Sequence, residues 1–183
     1  KQLDFTKKRI FNAGLNEKVD IKFLDYRDLK SKYDSIASIE MIEAVGEKYL
    51  DKYFSTIKEN LKPSGIGAIQ AIIIKDELFD RYRKNEDFIQ KYIFPGGFLP
   101  SLRSIKSHCK QSGLELTDYN SYGSHYSNTL KEWRGNFARS WNDISRQGFD
   151  LSFKKIWDFY FSYCEAGFKS KNIDLIQFSL SNK

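Results

Sequence analysis

The chain has 183 residues, with 30 Lys and Arg against 24 Asp and Glu, a net charge of +6, and 40% hydrophobic residues. This length and composition are typical of one globular domain with a sizeable core and exclude an intrinsically disordered chain. Cys109 and Cys164 are far apart and no Cys-x-x-Cys pair occurs, which argues against a metal site or a disulfide framework and suits a reducing compartment.

The positive net charge favours an anionic partner, such as nucleic acid, a phospholipid surface or an acidic ligand. The basic residues are spread along the whole chain without a dense block, so a solvated basic surface explains them equally well. We find no signal peptide and no apolar run near twenty residues, so we expect the visible chain neither to span a membrane nor to be exported.

The chain begins without an initiator Met and has the character of a piece of a longer protein. A helical pattern starts at Lys1 and stops at Gly14. Residues 19–24 alternate apolar and polar side chains, which predicts a strand from Val19 to Leu24, and Asp25 and Tyr26 follow at its carboxyl end.

The segment from Tyr33 to Gly46 starts as a strand, predicted over residues 35–39, and then presents Glu40 and Glu43. Tyr49 to Leu61 is an amphipathic helix that residues 62–65 break. Ile66 to Ile74 is a continuous apolar run with only Gln70 polar, which is typical of a central strand covered on both faces.

The second half of the chain is mainly helical. We predict a charged helix over 76–91, a loop fixed by Pro and Gly over 92–100, a helix from its cap Ser101 to Gln111, a strand over 114–122, two or three helices over 125–169, and a closing strand over 174–180. The order of these elements predicts a doubly wound α/β sheet.

Ligands of open α/β sheets bind at the carboxyl ends of the strands. Asp25 and Tyr26 follow one predicted strand, Glu40 and Glu43 follow the next, and Gln70, Ile72 and residues 122–126 lie near two more ends. A carboxylate such as Asp25 suits ribose hydroxyls or an adenine amino group, although Asp is also a common turn former. The Gly-rich turn of a nucleotide site is missing, so either no nucleotide binds or that turn lies before Lys1.

Each of these residues also has an ordinary structural explanation. Glu43 could be a first-turn acid favoured by the helix dipole, Gln70 could satisfy a backbone group, and Tyr126 could belong to the core. We interpret Glu40 as mainly structural. The many aromatic side chains of the later helices are mostly core.

Four segments resemble one known family: Ser38–Gly46, Phe88–Ser101, Tyr126–Trp133 and Tyr163–Phe168. Together they look like the cyclopropane-fatty-acyl-phospholipid synthases and the related mycolic acid cyclopropane synthases. The likeness runs over essentially the whole chain, and the stretch Tyr-Ile-Phe-Pro-Gly-Gly-x-Leu-Pro-Ser at 92–101 is its most specific part.

The resemblance implies a fold and a cofactor. It implies that residues 1–183 are the C-terminal part of one S-adenosylmethionine-dependent methyltransferase domain, on a Rossmann-like class I sheet whose first two strands are absent. Residues 75–112 and 125–169 would be mainly helical insertion or cover segments, and residues 174–180 a last antiparallel strand. By the same resemblance Gln2 lies against the cofactor and Tyr26 packs on its adenine, beside Asp25.

The resemblance also implies a chemistry, in which a methylene is transferred from S-adenosylmethionine to the cis double bond of an acyl chain. A carbocation forms and a bound bicarbonate ion removes a proton from the transferred methyl. Glu43 and Tyr126 match the residues that hold this ion, and Ile72 matches the position whose backbone contributes. Gln70 stands where many bacterial members have His, and an amide can hold an anion but cannot take up its proton.

The partners implied are unsaturated phospholipid acyl chains at the membrane surface, with a cytoplasmic location on the inner face, no nucleic acid, and room for a homodimer. Methylation without ring closure stays open, because it differs only in the fate of the carbocation. A non-catalytic lipid-associated domain also stays open. Because two strands and the cofactor turn would be missing, we expect this segment alone to fold poorly and to be inactive.

Overall fold

The computed structural model describes residues 1–182, which separate into two compact units, residues 1–31 and the remainder from Lys32. The first unit contains the predicted helix, α1 (Gln2–Asn12), and Gly14 follows it with a φ of +66°. A one-turn 3-10 helix at Tyr26–Asp28 ends this unit's ordered secondary structure.

The strand predicted from Val19 to Leu24 is wrong. This segment has no regular secondary structure, and all four described strands lie in one sheet that begins at Tyr33. An alternating pattern favours a strand only where a neighbouring strand completes the hydrogen bonds, and no such neighbour pairs with residues 19–24 in the described part of the chain.

The second unit is built on a sheet of β1 (Tyr33–Ile39), β2 (Leu61–Ile74), β3 (Leu114–Ser121) and β4 (Ile173–Asn182), in the order β1-β2-β4-β3. β1 and β2 are parallel, whereas β4 runs antiparallel to both β2 and β3. The α/β class and the last antiparallel strand are therefore confirmed.

One face of the sheet is covered by α2 (Leu50–Asn60) and α5 (Leu102–Ser112), both close to their predicted bounds. The Ser101 side chain caps α5 and Gly113, with a φ of +73°, ends it, as predicted. The predicted break at 62–65 lies inside β2, which starts directly after α2. Gly65 is needed there, since a Cβ would stand 2.9 Å from the Lys62 carbonyl oxygen.

The opposite face is covered by α6 (Gly123–Arg139) and α8 (Leu151–Lys169), which follow each other through the short α7 (Trp141–Arg146). Leu130, Phe161, Phe168 and Leu175 form the core cluster of this layer. Leu175 faces this cluster while Leu180 contacts the other layer, because strand side chains alternate between the two faces. The two or three helices predicted here are confirmed as three.

The single helix predicted over 76–91 is wrong, because the structure has two, α3 (Asp76–Tyr82) and α4 (Phe88–Tyr92). Asp87 starts the second helix with a capping box: its side chain accepts from the Gln90 amide, and the Gln90 side chain accepts from the Asp87 amide. These helices and α5 fall within 75–112, whose role as an insertion stays a prediction. In the described residues, no helix is both long enough and apolar enough to cross a membrane.

Candidate active site

A cavity of about 1000 Å³ lies beside the carboxyl ends of β1 and β2, between the loop at 93–99 and helices α6 and α8. Its lining is mostly aliphatic and aromatic, and the acidic residues in it are Glu40, Glu43 and Asp87. In the described part of the chain, no Lys, Arg or His lines this cavity. The site is therefore a mostly apolar chamber whose lining includes three carboxyl groups.

Glu43 stands in a 3-10 turn (Ile42–Ala44) directly after β1, and the fully buried Ile42 anchors that turn. The backbone N–H of Ile72 donates to Glu43 Oε1 at 2.5 Å. Glu43 Oε2 is buried and has no hydrogen-bond partner. Burial raises the pKa of Glu43, opposed by the Ile72 N–H and assisted by the charge of Glu40.

Glu40 is the centre of a hydrogen-bond network. Gln70 Nε2 donates to Glu40 Oε1 at 2.7 Å, and Gln177 Nε2 donates to Gln70 Oε1 at 2.8 Å. The Tyr126 hydroxyl donates to Glu40 Oε2 over 3.5 Å. Burial, and secondarily the charge of Glu40, raises the pKa of Tyr126 and keeps the hydroxyl protonated.

The structure brings the four predicted catalytic residues close together, but only three of them line the cavity. Glu43, Ile72 and Tyr126 line the cavity, whereas Gln70 is not in the lining and contacts it through Glu40. Sequence analysis placed Glu40 at the end of its strand but interpreted it as mainly structural, whereas the structure sets its side chain in the cavity lining.

Aromatic side chains form part of the cavity lining. Tyr160 and Tyr163 on α8, Trp133 on α6 and Phe94 in the loop line it. Burial raises the pKa of Tyr160 to about 12, so this hydroxyl also stays protonated. No group of three or more potential metal ligands occurs in residues 1–182.

Gln2, Asp25 and Tyr26, the predicted cofactor residues, lie in the first unit. Asp25 caps the 3-10 turn, and Arg27 donates to both of its carboxylate oxygens, from Nε at 3.0 Å and from Nη2 at 2.7 Å. The Arg27 side chain holds the pKa of Asp25 down to about 2. Tyr26 is half-buried and Gln2 is exposed.

A known protein family matches nearly the whole of this chain. The family model described as "Mycolic acid cyclopropane synthetase" matches residues 1–178. The chain belongs to this family. The resemblance predicted from the sequence is thereby confirmed.

Two curated relatives illustrate the range of the family. The chain is 39% identical over 180 residues to the tuberculostearic acid methyltransferase UfaA1 of Mycobacterium tuberculosis, covering 98% of this chain and 42% of the relative. It is 36% identical over 160 residues to the cyclopropane-fatty-acyl-phospholipid synthase of Escherichia coli, covering 87% of this chain and 40% of the relative. The chain thus spans about two fifths of the curated relatives it matches.

Solved structures of the family have the same fold. The crystal structure of mycolic acid cyclopropane synthase CmaA1 complexed with SAH and CTAB gives a TM-score of 0.78 at 24% identity, covering 93% of this chain and 65% of that one. The cyclopropane synthase MmaA2 from Mycobacterium tuberculosis gives a TM-score of 0.78 at 22% identity, covering 92% of this chain and 64% of that one. These matches confirm the predicted class I methyltransferase fold.

Proposed function

We propose that the whole protein transfers a one-carbon unit from S-adenosylmethionine to the cis double bond of unsaturated phospholipid acyl chains and closes it to a cyclopropane ring. The observation that carries this proposal is the mostly apolar chamber of about 1000 Å³ with carboxyl groups in its lining, in a chain of this family. A long acyl chain is a ligand that such a lining favours.

The lining supports the chemistry as well as the binding. Bound S-adenosylmethionine would supply an electrophilic sulfonium methyl to the alkene, whose acyl chain would then carry a cation. The rings of Tyr160 and Trp133 can stabilise this cation through their negative faces. The apolar wall keeps out the water that would capture it.

The cofactor's place is proposed from the sequence match. Asp25 would hold the ribose hydroxyls, Tyr26 would pack on the adenine and Gln2 would lie against the cofactor. The geometry within the first unit is compatible with the first role, because Asp25 stays ionised and its side chain is 39% exposed. Arg27 fixes that carboxylate, so the acceptor is held in place before the ligand binds.

The side chains and backbone group that the resemblance assigns to a bicarbonate ion contact glutamate carboxyl groups in this structure. Gln70 Nε2 and the Tyr126 hydroxyl are directed to Glu40, and the Ile72 N–H is directed to Glu43. Across the described lining, no cationic side chain would offset a further negative charge beside two glutamates. Bicarbonate as the proton acceptor stays a prediction from the resemblance.

The location of the substrate is proposed from the family resemblance. Phospholipids at the inner face of the membrane follow from the resemblance, and the net charge of +6 suits their anionic surface. A second product deserves the same test, because the relative at 39% identity is named a methyltransferase. Methylation without ring closure would give a branched chain from the same carbocation.

Lipid analysis of bacteria that express the whole protein tests the proposal. Ring closure adds CH2 to an unsaturated acyl chain and removes its double bond. Proton loss without ring closure also adds CH2 but leaves a double bond, and a saturated methyl branch adds CH4 because it needs a hydride donor as well. We expect the CH2 product without a double bond, and Glu43→Gln should lower turnover by about 100-fold or more without changing cofactor affinity. The exposed Glu86→Gln is the matched control and should leave the yield unchanged. Absence of any gain in mass would favour a non-catalytic lipid-associated domain.

A further inference from the structure

We propose that the surface formed by α4 and the adjoining face of α8 is where this protein meets the phospholipid bilayer, and that the acyl chain enters the chamber across this surface. The proposed function is the basis for this step, which names the docking surface of the same site. Four side chains define the surface, which we call the aromatic patch: Phe88, Tyr92, Phe159 and Tyr163.

Two helices form the aromatic patch. Phe88 and Tyr92 are one turn apart on α4, and Phe159 and Tyr163 are one turn apart on α8, so each pair lies on one face of its helix. The Phe88 ring packs edge-on against the Phe159 ring, with the centroids 4.6 Å apart, and the rings of Phe159 and Tyr163 are stacked at 5.8 Å. The four rings therefore form one continuous surface.

The aromatic patch is open to solvent. Tyr92 is 55% exposed, Phe159 52% and Tyr163 42%. The same face of α8 continues towards the start of the helix through Lys155 and Leu151, which are also exposed. Contiguous exposed apolar surface of this kind marks a docking surface for a protein or a membrane.

The aromatic patch is continuous with the chamber. Tyr163 belongs both to the patch and to the cavity lining. Phe94, an exposed ring whose centroid is 6.2 Å from that of Tyr160, also lines the cavity. Because Tyr163 and Phe94 are exposed and line the cavity as well, the chamber reaches the protein surface beside the patch. An acyl chain that crosses here stays in contact with apolar groups, which is favourable because its methylenes are kept from water.

The polar groups of this surface suit a bilayer better than a second copy of the chain. Tyr92 and Tyr163 each carry a hydroxyl at the end of an apolar ring, Lys91 Nζ lies 5.4 Å from the centre of the Tyr92 ring, and Lys155 is exposed beside Phe159. Aromatic rings and basic side chains are typical of surfaces that lie in the membrane interface. Anionic headgroups attract Lys, whereas two copies of a chain with a net charge of +6 repel each other.

Vesicle sedimentation of the whole protein tests the surface, with vesicles of monounsaturated phosphatidylethanolamine and phosphatidylglycerol. The double variant Tyr92→Gln and Phe159→Gln should bind these vesicles about 10-fold more weakly or worse, because two apolar rings are lost from the interface. Neither ring lines the chamber, so turnover of the same lipid dispersed in detergent should stay within about 2-fold of wild type.

Tyr119→Gln is the matched control. Tyr119 is 43% exposed on β3 and lies beside Lys106 of α5, which covers the opposite face of the sheet from α8. Its replacement should leave vesicle binding unchanged. A loss equal to that of the double variant would contradict a localised docking surface.

Two further variants keep the apolar packing of the patch. Lys155→Glu should weaken vesicle binding by about 10-fold at low salt and by less at high salt, and the effect should disappear on vesicles without phosphatidylglycerol. Phe159→Trp places an indole at the interface, so brominated lipid should quench its added fluorescence. The same lipid should not quench the fluorescence added by Tyr119→Trp, and both are measured against the parent protein with its three Trp.

Equal vesicle binding by wild type and the double variant, or unquenched fluorescence from Phe159→Trp, would overturn the proposal. So would a dimer of wild type in ultracentrifugation that the double variant converts to a monomer with unchanged vesicle binding, because a second copy would then cover the patch. If vesicle binding follows these expectations but no ring-containing lipid forms, the proposed function fails and the docking surface stands.

Discussion

The backbone N–H of Phe98 donates to the carbonyl oxygen of Glu43 at 2.8 Å. This bond fastens the loop at 93–100 to the turn that carries the buried carboxylate. The same loop is held by Gln90 Nε2, which donates to the Gly97 carbonyl oxygen at 3.0 Å, and by the Tyr82 hydroxyl, which accepts from the Leu99 N–H at 3.1 Å. The stretch at 92–101, which is the most specific part of the family resemblance, therefore positions the backbone of Glu43.

Gly97→Ala tests this positioning. A Cβ at Gly97 would stand 3.0 Å from the Phe94 carbonyl oxygen and 3.4 Å from Phe94 Cβ, so the loop must shift. We expect a loss of about 1–3 kcal/mol in the free energy of unfolding, as for other overpacked sites. Turnover should fall as well, because Glu43 moves with the loop. Urea unfolding and lipid turnover of the variant measure both effects.

Gly135→Ala is the matched control for that substitution. Gly135 lies within α6, and a Cβ there would meet only the end of the flexible Arg139 side chain, at 3.3 Å. Alanine in a helix interior is favoured over glycine by roughly 0.5–1 kcal/mol. The control should therefore be as stable as wild type or more so, and fully active. A loss equal to that of Gly97→Ala would point to a general intolerance of added methyl groups.

Glu43→Gln should raise the melting temperature at pH 8. Burial raises the folded-state pKa of Glu43 above its ordinary value of 4.5, so the fold favours the neutral acid. The stability that this group contributes is fully present below about pH 4.5 and is lost as pH rises through the raised pKa. Glutamine carries no charge at any pH. Calorimetry should show an advantage of the variant at pH 8 that shrinks towards pH 4, and a constant difference would contradict the assignment.

Glu165 on α8 should stabilise the packing of α8 against α6. It is only 7% exposed, lies 3.4 Å from Arg134 Nη2 on α6 and also pairs with Lys169. Glu165→Ala should cost about 1.5–3 kcal/mol in urea unfolding, as expected for a hydrogen bond to a charged group. The cost should be full above about pH 4.5 and smaller at lower pH, because Lys169 first and then Arg134 lower the pKa of Glu165.

The exposed pair of Arg146 and Asp143 provides the comparison for that measurement. Their side chains are 79% and 77% exposed, and the two charged groups lie 3.2 Å apart. Arg146→Ala should change the free energy of unfolding by less than about 0.5 kcal/mol, because exposed ion pairs contribute little. Similar losses of unfolding free energy in both variants would mean that the burial of Glu165 does not strengthen its ion pairs.

Both cysteines should be unreactive in the folded protein. Burial raises the pKa of Cys109 and of Cys164 to about 12, so almost no thiolate is present at pH 8. Alkylation by iodoacetamide should be about a thousandfold slower than for a free cysteine and should become fast in urea. Peptide mass spectrometry locates the label. Because Cys164 lines the cavity, its selective labelling would indicate that the chamber opens to water.

Much of the fold was predictable, because its signals are local. Helix α5 is bounded by Ser101 and Gly113, whose side-chain cap and left-handed backbone act on neighbouring residues. The predictions failed where the secondary structure depends on a distant strand or on a competing helix cap. Residues 19–24 alternate like a strand but have no strand to pair with in the described chain, and the cap formed by Asp87 divides a segment whose charged pattern is continuous.

The site was predictable only in part. Glu43 and Tyr126 were found by their place in family motifs, and the structure sets both in the cavity lining. The hydrogen bonds of Glu40 are made with Gln70 and Tyr126, which lie 30 and 86 positions away. The spacing of residues along the chain does not predict such contacts, so the network could be found only in the structure.

The position of β4 between β2 and β3 has a consequence for biosynthesis. β3 pairs only with β4 among the described strands, and β4 is the last of the four to leave the ribosome. Until then β2 and β3 each have an unpaired edge. The core between α6, α8 and the sheet also lacks Leu175, which β4 supplies. The sheet can therefore be completed only after residues 173–182 have been synthesised.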